Sequence, residues 1–172
     1  MNGRITKIKA KKGEYTLSWE TYQETTKNWD KHTLVCKDPP REELKERLQV
    51  MANHVTEICE FEQEATKKIA VSGISISYTD DNRYLVIMAL KDLTNSQSPM
   101  VINTPVRPEM PSESCAEEFC MSDELLRDLA ILENEAWLYI NGDRAQMTLD
   151  FGETENQTEA GGSEKEETRA AG

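Results

Sequence analysis

Basic and aromatic side chains lie on neighbouring strands among the first three predicted strands of the chain. Lys7, Lys9 and Lys11 share one face of a strand, because strand side chains alternate with a period of two. Bases stack on aromatic rings, and ammonium groups contact phosphates. The pattern predicts a surface for single-stranded nucleic acid, although alternating aromatic residues are also typical of a sheet core. The predicted contact residues are Arg4, Lys7, Lys9, Lys11, Lys12, Tyr15, Trp19 and Trp29.

Hydroxyl and amide side chains gather between two later predicted strands, within residues 94–104. Such groups can bind a phosphate, a base or a sugar, but Asn, Ser and Thr in loops also commonly bond their own backbone. The sequence leaves both interpretations open. The candidate ligand residues are Asn95, Ser96, Ser98, Asn103 and Thr104.

The sequence shows no motif that is typical of a catalytic or metal site. It lacks a Gly-rich phosphate loop and a nucleophile elbow. Histidines occur only at His32 and His54, and the one close cysteine pair, Cys115 and Cys120, lacks the spacing of zinc ligands. We therefore predict a non-enzymatic protein with no catalytic residue, no metal and no cofactor.

A short segment with the pattern Gln-x-x-Leu-x-Phe follows the last predicted helix. The glutamine amide can anchor by hydrogen bonds, and two large apolar side chains can fill a cleft. The segment resembles the hexapeptide by which bacterial replication and repair proteins dock onto the DNA polymerase sliding clamp, with Met147 where leucine is common. The alternative is a closing strand of the sheet. The candidate partner-binding residues are Gln146, Met147, Leu149 and Phe151.

Charge is distributed unevenly along the 172 residues, whose formal net charge is −12. Residues 1–37 contain eight Lys and Arg against four acids, whereas the rest of the chain is strongly acidic. This asymmetry predicts a basic contact surface near the N-terminus. The N-terminal residues lack the apolar run of a signal peptide, and no stretch is apolar enough to span a membrane, so we expect a cytoplasmic protein.

Two elements are predicted to position the basic residues. Residues 4–20 are predicted to form a hairpin that turns at Lys12-Gly13, followed by a third strand near 29–37. A helix over about 41–60 shows an apolar stripe that should pack on this sheet. The stripe consists of Leu44, Leu48, Met51, Val55 and Ile58.

The second half of the domain is predicted to extend the sheet. Within residues 69–78 the large apolar side chains occupy odd positions before Gly73 and even positions after it, as a β-bulge would produce. Residues 84–90 are apolar on both faces, which predicts a strand covered on both sides by helices or a partner subunit. A short strand is expected at 100–105, a mobile acidic insert at about 106–121, and a last helix that Ser122 caps.

These elements predict one α+β domain over residues 1–151 and a disordered acidic tail over 152–172. The sheet should be mainly antiparallel, with five or six strands and two helices. A small, partly open barrel of the oligonucleotide-binding kind is one version of this fold. A flat sheet backed by both helices is the other.

The lysine-rich hairpin and the runs Ile69–Tyr78, Asn95–Pro105 and Ile140–Gln146 resemble a family of small bacteriophage and prophage proteins found among replication and recombination genes. The resemblance implies a phage origin, and hence the host cytoplasm, but supplies no site residues.

Two hypotheses about function follow. The first is a non-catalytic replication or recombination accessory protein that binds single-stranded DNA and docks on the sliding clamp or another replication protein. The second is a phage counter-defence protein, either a sponge for a nucleotide signal or an inhibitor of a host protein. The polar loop and the acidic surface motivate it. A homo-oligomer that covers the apolar strand at 84–90 is compatible with either hypothesis.

Overall fold

Seven β-strands and two α-helices make up the fold in the computed structural model, which describes residues 3–145. The helices are α1, Glu42–Ile58, and α2, Asp123–Ile140, and short 3-10 helices lie at Gln63–Lys68 and Glu117–Phe119. The strands are β1 Gly3–Lys11, β2 Glu14–Gln23, β3 Asn28–Cys36, β4 Ile69–Tyr78, β5 Arg83–Lys91, β6 Met100–Asn103 and β7 Arg107–Pro108.

All seven strands belong to one antiparallel sheet. The strand order is β3-β2-β1-β4-β5-β6, and β7 pairs with part of β5. Among the residues described, β3 and β6 are edge strands that do not pair with each other, so the sheet is open. The predicted α+β class is confirmed. Its flat-sheet version, rather than the barrel, describes the fold.

Both α-helices pack on the same face of the sheet. Ile8, Leu17, Ile74 and Ile87, from four adjacent strands, are fully buried on that face. They share one apolar core with the stripes of both helices, and the helical members include Met51, Val55, Leu129 and Leu132. Burial of this face removes from water most of the large aliphatic side chains, which is the main favourable term in folding.

Strand β5 has only one covered face within residues 3–145. Leu85, Ile87 and Ala89 are buried beneath the helices, whereas Val86 and Met88 on the other face are only partly buried. Within residues 3–145 the helices cover only one face of this strand, and the predicted alternative, a partner subunit over the other face, stays a prediction. The second apolar face of β5 belongs to a broad sheet surface that no described helix covers.

A β-bulge in β4 keeps the core register intact. Val71 pairs with Ala89 and Gly73 pairs with Met88, so Ser72 is the extra residue. After the bulge Ile74 faces the core again, which confirms the parity change predicted at the glycine. A Cβ atom on Gly73 would lie 2.3 Å from the carbonyl oxygen of Ile8 on the neighbouring strand, so only glycine fits there.

The segment 106–121, predicted as an insert, is fastened to the domain at both ends. Pro108 is buried in β7, and its carbonyl oxygen accepts a hydrogen bond from the Met121 amide at 2.8 Å. The Ser122 side chain then caps α2 by accepting from the Leu125 amide, as predicted. The predicted docking peptide and the acidic tail 152–172 lie outside the described residues.

Substitution of Gly73 tests the close approach of β4 and β1. We expect Gly73→Ala to lower the free energy of unfolding by about 1–3 kcal/mol, the usual cost of overpacking, as measured by urea denaturation. Ser77→Ala, at an exposed position of the same strand, is the control and should change it by less than about 0.5 kcal/mol. A Gly73→Ala variant as stable as this control would contradict the account.

Candidate nucleic-acid interface

The sheet face opposite the helices carries a column of lysines along β1. Ile8 points into the core, so Lys7, Lys9 and Lys11 point to the other side, called here the open face. Their spacing along the strand is two residues, or roughly 6.7 Å. A register shift of β1 against β2 between Ile5 and Lys7 places Arg4, like Lys7, on the open face, opposite the buried Ile5. Lys31 of β3 lies on the same face, because it pairs with Glu20, which in turn pairs with Arg4.

Arg4 organises an aromatic cluster at one end of the open face. Its guanidinium donates to the Glu20 carboxylate at 2.8 Å and lies 3.8 Å from the ring centre of Trp29 and 4.4 Å from that of Tyr78. The Trp29 ring also packs on Tyr22, with ring centres 5.3 Å apart. Trp29 remains 38% exposed, so one part of a well-fixed indole is available to a ligand.

A shallow cavity of about 450 Å³ lies beside this cluster. Three cations and several hydroxyl groups line it, together with the carboxylate of Glu20. Such a lining suits an anionic, hydrogen-bonding ligand better than an apolar one. The charged and hydroxyl-bearing lining residues are Arg4, Thr6, Lys7, Ser18, Glu20, Lys31, Thr33, Ser75, Ser77 and Tyr78.

The other half of the open face changes from basic to apolar. On β4, residues Gly73 and Ser75 pair with Lys9 and Lys7 and provide only small side chains. Beyond them lie the partly exposed apolar side chains of β5 and β6, with Leu90 at 36% and Val101 at 71% exposure. The open face therefore has a basic side and an apolar side, separated by a strip of small side chains.

Charge is segregated between the two layers of the domain. Strand alternation places Arg4, Lys7, Lys9, Lys11 and Lys31 on the open face, where β1–β3 contribute only Glu14 and Glu20 as acids. The two helices contain nine acids and three cations. A protein with a net charge of −12 thus has one face on which cations predominate, which favours an anionic ligand on that face.

The structure separates the predicted contact residues into three groups. Arg4, Lys7, Lys9, Lys11 and Trp29 share the open face, whereas Lys12 sits at the hairpin turn with a positive φ of 51°. Tyr15 and Trp19 lie on the helix side of β2. Their ring centres are 5.8 Å from that of Tyr139 and 6.3 Å from that of Trp137, respectively. Tyr15 and Trp19 therefore pack on the helix side of the sheet, and Trp19 also lines the cavity beside Arg4.

Tyr22 and Lys31 belong to the site but were not predicted from the sequence. Lys31 follows Trp29 by two residues on the same strand, so the period of two is the signal that would have included it. Tyr22 required the register of β2 against β3, in which it pairs with Trp29.

Three of the five polar residues predicted as a ligand loop make hydrogen bonds within the loop or to the sheet. The Ser96 hydroxyl donates to the Ser98 carbonyl and accepts from the Ser98 amide, at 2.9 and 3.1 Å. Thr104 is buried, and its hydroxyl accepts from the Ile87 amide at 2.9 Å. Asn95 and Asn103 are exposed. The structure therefore does not bring these five residues together as a site.

His54 and Asp128 make a structural contact between the two helices. His54 is buried and its Nε2 lies 2.8 Å from the Asp128 carboxylate, which links α1 to α2.

Residues 3–145 contain no group of three or more His, Cys, Asp or Glu side chains arranged to hold a metal ion. The four cysteines are free thiols. Neither helix is long and apolar enough to cross a lipid bilayer, within the part of the chain that the structure describes.

Comparisons with protein-family models, with curated proteins and with solved structures found no significant match to this chain.

Replacement of Arg4 tests the aromatic cluster. Arg4→Lys keeps the charge but loses the planar guanidinium that contacts two rings and bonds Glu20. We expect the free energy of unfolding to fall by about 1–2 kcal/mol in urea denaturation. Lys9→Ala, on the same strand and face, should change it by less than about 0.5 kcal/mol. Equal stability of Arg4→Lys and wild type would show that the cluster is not fixed by Arg4.

Titration of Tyr78 gives a pH-dependent test. Burial, with a smaller contribution from the charge of Glu133, raises the pKa of Tyr78 to about 12. The unfolded chain has a tyrosine pKa of about 10. The stabilisation from keeping this phenol neutral is therefore complete below pH ~10 and is lost as the pH rises toward 12.

We therefore expect the alkaline decline in unfolding free energy to be shallower in Tyr78→Phe than in wild type. Urea denaturation at several pH values above 9 measures this decline. Tyr139, whose pKa is also raised by burial, is retained in both proteins and so cancels in the comparison. Parallel declines in the two proteins would contradict the assignment.

Proposed function

We propose that this protein is a non-catalytic accessory protein of phage DNA replication or recombination that binds single-stranded DNA on its open face. The observation that carries the proposal is the predominance of cations, beside an exposed Trp29, on one uncovered sheet face of an otherwise acidic protein. Single-strand-binding proteins combine a positive surface with aromatic stacking platforms. Binding would occur in the cytoplasm of the host cell.

The lysine column suits an extended strand. Its spacing of roughly 6.7 Å exceeds the 3.4 Å axial rise per phosphate of a stacked strand, so the column can follow the backbone of a strand that is extended along β1. One unstacked base can then lie on the Trp29 indole, which Arg4 and Tyr22 hold in place. Further bases can contact the apolar side of the open face, including Met88 and Val101.

The C-terminal peptide would bring this DNA-binding domain to its partner. Residues 146–151 follow the end of α2 after five residues, and a tethered motif raises the effective concentration of the linked domain near DNA. In this proposal Gln146 anchors the peptide, and Leu149 and Phe151 fill the apolar cleft of the sliding clamp or another replication protein. Pull-down of the clamp by wild type but not by Gln146→Ala/Phe151→Ala would support the docking, and its absence from both would overturn it.

Removal of the lysine column tests DNA binding. We expect Lys7→Ala/Lys9→Ala/Lys11→Ala to weaken binding of a labelled oligothymidylate, measured by fluorescence anisotropy at low salt. The slope of log affinity against log salt should also fall by about 2, at roughly 0.7 per phosphate contact. The matched control removes three cations from the helices, Lys45→Ala/Arg47→Ala/Arg127→Ala, and should bind nearly as wild type. Equal weakening in both variants, or no binding by wild type, would overturn the proposal.

The cavity beside Arg4 favours a second candidate, the nucleotide sponge of a counter-defence protein. A volume of about 450 Å³ with three cations and many hydroxyls can receive one nucleotide. Length dependence separates the candidates. A single-strand binder gains affinity as the oligonucleotide lengthens past the site, whereas a sponge binds mononucleotides or short cyclic nucleotides equally well and retains them on purification.

A further inference from the structure

Two cysteine thiols lie together in the segment that joins β7 to α2. Cys115 and Cys120 are free thiols, and each residue is only partly buried. Both Sγ atoms donate to the same acceptor, the carbonyl oxygen of Ala116, at 3.7 Å from Cys115 and 3.5 Å from Cys120. The two side chains therefore point toward one place on the segment, although neither residue belongs to a strand or an α-helix.

The hydrogen bonds that hold these thiols are weak. The Ala116 carbonyl oxygen also accepts from the Phe119 amide at 3.0 Å. A carbonyl oxygen has two lone pairs, and a thiol is a poor donor compared with a backbone amide. The two thiols thus share an acceptor that an amide already occupies. A rotation of either side chain toward the other sulfur atom therefore sacrifices little hydrogen bonding.

The backbone around the thiols is fixed by its own hydrogen bonds. Ser112 and Cys115 exchange two backbone hydrogen bonds, of 3.0 and 3.1 Å, and the Cys120 amide donates to the Glu117 carbonyl at 3.0 Å. Cys120 also lies two residues before Ser122, the N-cap of α2. Because both ends of this short segment are held, each thiol stays at a high effective concentration near the other.

The surroundings of Cys120 keep its thiol protonated at neutral pH. Burial raises the pKa of the Cys120 thiol, and the neighbouring Cys115 thiol raises it further, whereas Arg107 acts in the opposite direction. A protonated thiol reacts slowly with a disulfide, because the thiolate is the nucleophile. The two cysteines are therefore stable as thiols until an oxidising disulfide accumulates.

We propose that Cys115 and Cys120 are a redox-responsive pair that forms an intrachain disulfide, with a small disulfide such as oxidised glutathione as the oxidant. This inference does not rest on DNA binding. Disulfides of cytosolic proteins are usually transient or redox-sensing, so the host cytoplasm would keep the pair reduced except under oxidative stress.

The reaction proceeds in two exchange steps. The thiolate of one cysteine attacks a sulfur atom of oxidised glutathione, which releases one glutathione thiolate and leaves a mixed disulfide on the protein. The second cysteine then loses its proton and attacks the protein sulfur of that mixed disulfide, which releases the other glutathione. The two cysteines lose two electrons and two protons, and the two glutathione molecules gain them.

Peptide mass spectrometry after incubation with oxidised glutathione tests the pairing. Trypsin does not cleave between Arg107 and Pro108, so one tryptic peptide, residues 92–127, contains both cysteines and no other. In the full-length protein this peptide should lose two hydrogen atoms and carry no glutathione. Cys115→Ser and Cys120→Ser should each retain one glutathione on it, because the second exchange step has no thiol. Cys59→Ser is the matched control and should form the same disulfide as wild type.

Hydrogen–deuterium exchange tests the effect of the disulfide on the segment. We expect amides within residues 112–121 to exchange about threefold or more slowly in the oxidised protein, because closing a ring of six residues restricts local opening. Dithiothreitol should restore the original rates. Strands β4 and β5 should exchange equally in both forms.

The other outcomes overturn the proposal. A glutathione that stays on the wild-type peptide means that the two thiols do not reach each other. A crosslink of this peptide to residues 48–67, which contain Cys59, assigns the disulfide to a different pair. Free thiols throughout, after exposure to excess oxidised glutathione, mean that the pair does not respond to this oxidant. Unchanged exchange in residues 112–121 of the oxidised protein means that the disulfide is no conformational device.

Discussion

Burial of one face of the sheet by both helices is the constraint on which the rest of this structure depends. Fully buried side chains such as Leu17, Ile74 and Ile87 hold the four central strands against α1 and α2. The helices lie on the same side, so within residues 3–145 no helix covers the opposite face. Whatever this protein binds on its sheet, it binds on a rigid surface whose shape is set by the core behind it.

The uncovered face differs from the helix layer in charge as well as in exposure. Acidic side chains concentrate on the helices, and the lysines of β1 concentrate on the open face. Arg4 connects the basic side to the aromatic cluster, since one guanidinium contacts Glu20, Trp29 and Tyr78 together. A ring fixed by such contacts loses little side-chain entropy when a base stacks on it, which favours binding.

Local patterns predicted most of the fold from the sequence. The parity change at Gly73 located the bulge because a one-residue insertion reverses every later side chain. Ser122 marked the start of α2 because its hydroxyl can accept from the first turn. The strand that was not predicted, β7, is only two residues long, too short to show an alternation of apolar and polar side chains. Only its pairing with β5 reveals it.

The site was predictable only in part, because the two faces of a strand look alike in a sequence until the position of the helices is known. Lys7, Lys9 and Lys11 were assigned to one face by the period of two. Tyr15 and Trp19 obey the same period, yet they face α2, where Tyr139 and Trp137 receive them. That choice is made by tertiary packing between residues more than 100 positions apart, which no local pattern contains.

The three tryptophans offer the most direct test of the open face as the DNA-binding surface. Trp29 lies on that face, whereas Trp19 and Trp137 contact each other on the helix side. In protein labelled with ¹⁵N-tryptophan, titration with an oligothymidylate should shift the indole resonance of Trp29 most, that of Trp19 at the rim of the cavity less, and leave that of Trp137 in place. Shifts confined to Trp19 and Trp137, or no shift of Trp29 at saturating oligonucleotide, would contradict the account.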